Sequence, residues 1–139
     1  MQAPDQTPPG SFCWLDLAAS DARAAMDFYA AAFGWTFATV QANGGSFTRC
    51  IAGDADVGSL YPLPRAQLEH GVPSHWTPYV RVDDIDALCS RVAALGGQVR
   101  VRPFDVDRTA RIALIEDAVG ALLGLWQPLR RPRMGTIPP

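Results

Sequence analysis

The stretch Phe12-Cys13-Trp14-Leu15-Asp16-Leu17, followed by Ser20-Asp21 and then by Ala25, Phe28, Tyr29, Ala32 and Phe33 at helical spacing, decides the fold. Its first six residues have the branched and aromatic composition and the period of two that mark a strand. Ser20-Asp21 offers the side-chain oxygen that caps a helix N-terminus, and Gly34 offers the left-handed residue that ends one. Strands read onward at 35–40, 46–52 and 57–61, divided by turns at Asn43-Gly44 and Gly53-Asp54. The stretch is the head of a βαβββ unit.

The unit recurs at an offset of 63 residues, which lays Trp14 on Thr77, Asp21 on Asp84 and Asp54 on Asp117. Thr77-Pro78-Tyr79-Val80-Arg81-Val82 reads as the second opening strand. Ile85, Leu88, Val92 and Leu95 form the second helical stripe, closed by Gly96-Gly97, and strands follow near 98–102, 111–116 and 121–127. The stripes Phe28/Phe33 and Leu88/Val92/Leu95 are expected to be mostly buried against their sheets. The loop 103–110 is longer than its counterpart and is a candidate lid, with Asp105, Asp107 and Arg108 on it. A repeat of this length is too long for a solenoid unit. Two copies predict an α+β domain whose curved mixed sheets surround a shared cleft. The expected boundaries are a loose arm over 1–10, one domain over 11–128 with modules at about 11–62 and 76–128, a linker at 63–75, and a loose tail over 129–139.

A length of 139 residues fits one domain, and a hydrophobic fraction of 48% is that of a globular chain. The net charge of −2 gives no reason to expect nucleic acid or an anionic membrane as partner. All twelve basic residues are Arg, so Schiff-base, pyridoxal-phosphate and P-loop lysine chemistries are excluded. Cys13, Cys50 and Cys89 are odd in number and widely spaced, which suits apolar fillers in a reducing compartment. The first ten residues lack the charged and apolar regions of a signal peptide, and no apolar run approaches the ~18 residues of a membrane span. The expectation is a cytoplasmic protein.

The order Phe12-x-Trp14-x-Asp16-Leu17, Asp21, Phe28-Tyr29 and Phe33-Gly34-Trp35 continues in the second half with Tyr79-x-x-Val82-x-Asp84 and Leu95-Gly96-Gly97. It goes on through Pro103-x-Asp105, Arg111, Asp117, Gly120-Ala121 and Leu125-Trp126-Gln127-Pro128. This pattern resembles the vicinal oxygen chelate (VOC) superfamily, which includes glyoxalase I, bleomycin-resistance proteins, fosfomycin-resistance enzymes and extradiol dioxygenases. The resemblance covers about 11–128, is greatest to the glyoxalase-like branch, and implies the VOC fold, a central cleft and a homodimer. Asp117-Ala118 stands where the family usually has Asp-Pro, and Ala110 stands where it usually has Gly. In metal-dependent members four inward positions supply His, Glu or Gln. Carried onto this chain they fall on Trp14, Tyr61, Thr77 and Gly124, none of them a good ligand for a divalent metal. A slip of one or two residues brings in Asp16, Ser59, His75 or Tyr79, which make no three-ligand set. His70 and His75, both in or beside the linker, read as solvated. The resemblance thus implies no metal and no cofactor here, and it argues against glyoxalase I or dioxygenase chemistry.

Strand alternation assigns the faces. Cys13, Leu15 and Leu17 are expected against a helix, with Phe12, Trp14 and Asp16 toward the cleft; Pro78, Val80 and Val82 pack, with Thr77, Tyr79 and Arg81 inward. Tyr61, Ser59, Leu122, Gly124 and Trp126 join from the last strands. Asp16 and Tyr79 are the candidate catalytic residues, and Trp14, Tyr61, Thr77, Arg81, Arg111 and Trp126 the candidate ligand-binding residues. Asp16 has three readings: a salt bridge to Arg81 or Arg111, an anchor for a cationic or hydroxylated ligand, or a general base. Gly124 leaves space for a ligand or for the bulk of Trp14. Three functions stand open. One is a small-molecule-binding protein, as in the bleomycin-resistance relatives. The second is a metal-independent lyase or isomerase using Asp16 and Tyr79. The third is an interaction domain whose cleft is closed by Trp14.

Overall fold

Asp21 and Asp84 show the duplication at the level of dihedral angles. Asp21 has φ −142° and ψ 95° and accepts from the Ala24 N–H; Asp84 has φ −138° and ψ 90° and accepts from the Ala87 N–H. Each caps a helix that follows the first strand of its unit. The computed structural model describes residues 4–42, 45–106 and 109–129. The Asn43-Gly44 turn, Asp107, Arg108 and the chain beyond Leu129 lie outside the described residues.

The first unit is β1 (Phe12–Ala19), α1 (Ala22–Phe33), β2 (Thr36–Ala42), β3 (Gly45–Ala52) and β4 (Ala55–Pro62). A short α2 (Arg65–Glu69) follows in the linker. The second unit is β5 (His75–Arg81), α3 (Ile85–Cys89), β6 (Gln98–Val106), β7 (Ala110–Glu116) and β8 (Leu122–Pro128). All eight strands join one mixed sheet in the order β2-β3-β4-β1-β5-β8-β7-β6. In each unit the first strand lies parallel to the fourth, β1 with β4 and β5 with β8. The units meet through the antiparallel pair β1–β5.

That central pair carries the pseudo-symmetry. Leu15 is opposite Pro78, its own equivalent at the 63-residue offset, so a twofold axis passes through this pair. Trp14 is opposite Tyr79, and Asp16 is opposite Thr77. The axis exchanges these two pairs and leaves Asp16 and its equivalent, Tyr79, as diagonal neighbours on one face.

Two small cores lie between the sheet and its helical segments. Leu17, Ala19, Cys50 and Leu60 pack with Ala25, Met26 and Tyr29 of α1; Ile85, Val92, Ala113, Ile115 and Leu125 form the other core, with Leu88 at its edge. The helix stripes differ from expectation. Phe28 is 62%, Phe33 64% and Leu95 62% exposed, while Val92 is 4%. The sheet face of α1 is filled by Ala22, Ala25, Met26 and Tyr29, which turns Phe28 outward and leaves Phe33 at the helix end. Regular α3 stops at Cys89, and tighter turns carry the chain on, with the Arg91 N–H donating to the Leu88 carbonyl at 2.9 Å. A Cβ at Gly97 would collide with the Glu116 carbonyl, so the chain passes close over β7 at that point.

Two segments expected to be loose are held. Residues 103–106, expected in a lid loop, extend β6 through two register shifts against β7. The N-terminal arm packs on the central strands: Arg81 donates to the Thr7 carbonyl, the Gly10 N–H donates to the Arg81 carbonyl at 2.8 Å, and Thr7 is buried. A 3-10 turn at Pro4–Gln6 begins this packed segment.

Candidate functional site

The face of the sheet opposite the helices lines one cleft of about 610 Å³. Residues from β1, β3, β4, β5, β6, β7 and β8 all reach it, which requires the sheet to curl around it. Trp14 and Asp16 come from β1, Ser59 and Tyr61 from β4, Tyr79 from β5 and Trp126 from β8. Within each strand these residues are two apart, as alternation requires.

At the floor a directed chain of hydrogen bonds joins three strand positions. The Trp14 indole N–H can only donate, and it donates to Ser59 Oγ at 2.8 Å. Ser59 must then place its own proton on Asp16 Oδ1, also at 2.8 Å. The Tyr79 hydroxyl is a second donor to Asp16. Burial pushes the Asp16 carboxyl up from 3.8 to about 6, against the opposing hydrogen bonds from Ser59 and Tyr79 and the charge of His75. The same burial, with the Asp16 charge, pushes the Tyr61 hydroxyl up to about 12 and the Tyr79 hydroxyl higher still. Both phenols therefore stay protonated as donors, and Asp16 is the group of this cluster that changes charge near neutrality.

Trp126 completes the aromatic wall, 5.5 Å from the Trp14 ring centroid and 6.1 Å from that of Tyr79. Its buried indole nitrogen has no partner among the described residues. Gly124 admits Tyr79: a Cβ there would run into the ring. The space expected for a ligand or for Trp14 belongs to that tyrosine. Trp14 leaves the cleft open.

The structure brings Trp14, Asp16, Tyr61, Tyr79 and Trp126 together around this space. The other three candidates do not line it. Thr77 lies opposite Asp16 but is buried beneath the lining, and Arg81 is turned to the N-terminal arm. Arg111 faces α3, donating to Asp86 at 2.9 and 3.0 Å and to Asp105 at 3.1 Å. Its neighbours in parity, Ala113 and Ile115, are core residues on that same face, whereas Ile112 and Leu114 line the cleft. Phe12 is 67% exposed beyond a register shift in β1 and is not part of the wall. Sequence reasoning missed Phe47, Arg49 and Asp56 of the first unit and Val101 and Phe104 of the second. The alternation of Phe47 with Arg49 in β3 was a usable signal; the bulges of β6 hid the other two.

The metal centre found in part of the family does not fit these residues. At the four corresponding positions Trp14 offers only an N–H, Gly124 is covered by a ring, and Thr77 and Tyr61 offer neutral hydroxyls. Among the described residues no three His, Cys, Asp or Glu side chains converge.

The comparisons agree with this architecture. Residues 11–125 match the Glyoxalase/Bleomycin resistance protein/Dioxygenase superfamily, and the chain belongs to that family. CFP32 of Mycobacterium tuberculosis, which carries a provisional glyoxylase name, is 37% identical over 119 residues, 84% of this chain and 45% of that protein. The anthracycline biosynthesis protein DnrV of Streptomyces peucetius is 36% identical over 130 residues, 86% of this chain and 47% of that protein. The chain thus spans about half the length of the curated relatives it matches. In fold it is similar to methylmalonyl-CoA epimerase from Mycobacterium tuberculosis, with a TM-score of 0.58 at 18% identity over 91% of this chain and 95% of that one. The hypothetical protein BH1468 of Bacillus halodurans gives a TM-score of 0.65 at 15% identity over 89% and 98%. At these identities the two structures bear on the fold alone.

Proposed function

We propose that this protein binds a small organic molecule in the aromatic cleft, without a metal held by its own side chains. The observation that carries the reading is the convergence of Trp14, Tyr61, Tyr79 and Trp126, from four strands, on an open space of about 610 Å³. Apolar walls with a few fixed polar groups are the usual makeup of a ligand pocket, and a cleft of this volume suits a ligand of two or more fused rings. Two relatives are named for anthracycline biosynthesis, and a planar polycyclic ligand agrees with the shape of the walls. Asp16 would orient the polar end of the ligand. A homodimer in the cytoplasm completes the proposal; the exposed Phe28 and Phe33 of α1 support an intersubunit surface. The open cleft disfavours an interaction domain closed by Trp14.

A native mass spectrum of protein purified without denaturation tests this. The expected species is the chain, or its dimer, carrying a sub-kilodalton organic adduct that denaturation releases. Stoichiometric zinc, nickel, manganese or iron that survives dialysis would overturn the metal-independent reading.

A further inference from the structure

Charge is unevenly settled around the cleft. Among the described lining residues the charged ones are Asp16, Arg49 and Asp56. Arg49 spends its guanidinium on Asp56, with Nη2 and Nε 2.7 and 3.1 Å from Oδ1. That pair neutralises itself. Asp16 takes its hydrogen bonds from two hydroxyls, Ser59 and Tyr79, and it belongs to no ion pair among the described residues. His75 acts on it through space only. Among its described residues the cleft therefore holds one unbalanced carboxylate, set among the side chains of Trp14, Tyr61, Tyr79 and Trp126.

Resting on the reading of the cleft as a small-molecule site, we propose that it selects cationic ligands: an organic ammonium on a planar apolar body. The charge is set against Asp16, and the body lies against Trp14, Tyr61 and Trp126. A buried carboxylate without a counter-ion is costly, and a ligand that supplies the opposite charge relieves that cost. Aromatic walls add to the preference, because their π faces attract cations, alkylated ammonium ions above all. Phosphates and carboxylates meet the reverse situation, since Arg49, the cationic side chain among the described lining residues, is already engaged by Asp56.

The test compares two isosteric probes by tryptophan fluorescence: (naphthalen-1-ylmethyl)trimethylammonium and the neutral 1-neopentylnaphthalene, which differ by nitrogen for carbon. At pH 8 the cation should bind at least tenfold more tightly to the full chain. The preference should shrink as the pH falls to 5. Among the described residues the titratable groups that share the cleft face with Asp16 are Tyr61 on β4 and Tyr79 and His75 on β5, and Cys50 on β3 feels its charge from the helix side of the sheet. Burial pushes the Cys50 thiol to about 11, and the two phenols lie higher, so neither thiol nor phenol changes charge in this window, and His75→Gln serves as the imidazole control. In His75→Gln the pH dependence should persist; in Asp16→Asn the two affinities should converge. Equal affinities in the wild-type protein overturn the charge preference and leave the cleft as a small-molecule site. Failure of both probes to bind overturns the two readings together. The wild-type comparison decides without any variant, should Asp16→Asn fold poorly.

Discussion

Asp16 binds two donors and, among the described residues, no cation, in a setting where its charged form is disfavoured, and its effect on stability has a definite sign. Its folded value, about 6, lies above the ordinary 3.8. A carboxyl raised in this way contributes fully to stability below its unfolded value, and the contribution is lost as the pH rises through the folded value. The unliganded protein should therefore lose up to about 3 kcal/mol between pH 4 and pH 8 through this group. Asp16→Asn should abolish that loss, so urea unfolding should show the variant gaining on wild type at pH 8 relative to pH 4; an equal difference at both pH values would mean that Asp16 does not titrate in this window. Gly124 gives a second residue-scale expectation. The Tyr79 ring occupies the place of a Cβ. Gly124→Ala should cost about 1–3 kcal/mol, the usual penalty for overpacking, and should disturb the Tyr79–Asp16 contact. Trp14, Asp16, Tyr61, Tyr79 and Trp126 were legible as cleft residues because strand alternation holds through β1 from Trp14 onward and at these positions of β4, β5 and β8. Arg111 was assigned to the cleft from the family pattern, yet its own parity with Ala113 and Ile115 points it at α3. Arg81 keeps the parity of Tyr79, but it lies at the strand end, where the N-terminal arm captures it.

The elements were read from caps and stripes, and the caps were the better guide. An N-cap needs one side-chain oxygen in one backbone conformation, which is a local requirement. Asp21→Ala and Asp84→Ala should each cost about 0.5–2 kcal/mol. A stripe reports burial only where the sheet beneath is wide enough to receive it, which sequence periodicity does not specify. Ile85 is fully buried and Leu95 is 62% exposed, although both belong to one stripe. Ile85→Ala should therefore cost about 2–5 kcal/mol and Leu95→Ala less than about 0.5 kcal/mol, as read from denaturant midpoints. Comparable costs at the two sites would mean that residues 90–96 pack as a continuous helix. α2 and the extension of β6 were missed because Pro and Gly around them read as loop, while the register shifts of β6 broke its alternation.

At the scale of the whole molecule, two copies of one unit meet through β1 and β5, and the sheet they share has helices on one side and a cleft on the other. The duplication was legible at the 63-residue offset, because caps, glycines and strand openings repeat in order. Curved sheets around a shared cleft were expected from the two copies, and the family resemblance pointed to the same arrangement. On the helix side of the sheet, Phe28, Tyr29, Phe33, Trp35 and Trp76 form a connected aromatic cluster, with the Trp76 indole donating to the Tyr29 hydroxyl at 3.1 Å. An exposed apolar surface of this kind marks an interaction site. If it is the homodimer surface, Phe33→Asp should convert a dimer into a monomer in light scattering; a wild-type monomer at micromolar concentration would remove the dimer from the account. The cleft itself is tested most directly by calorimetric titration of a planar probe, 1-aminoanthracene, into wild type, Trp14→Ala and Trp126→Ala. Aromatic walls that hold the ligand require each variant to bind at least about fivefold more weakly, a loss of about 1 kcal/mol or more. Unchanged affinity in both variants, with the fold intact, would place the ligand outside the cleft and contradict the proposed function.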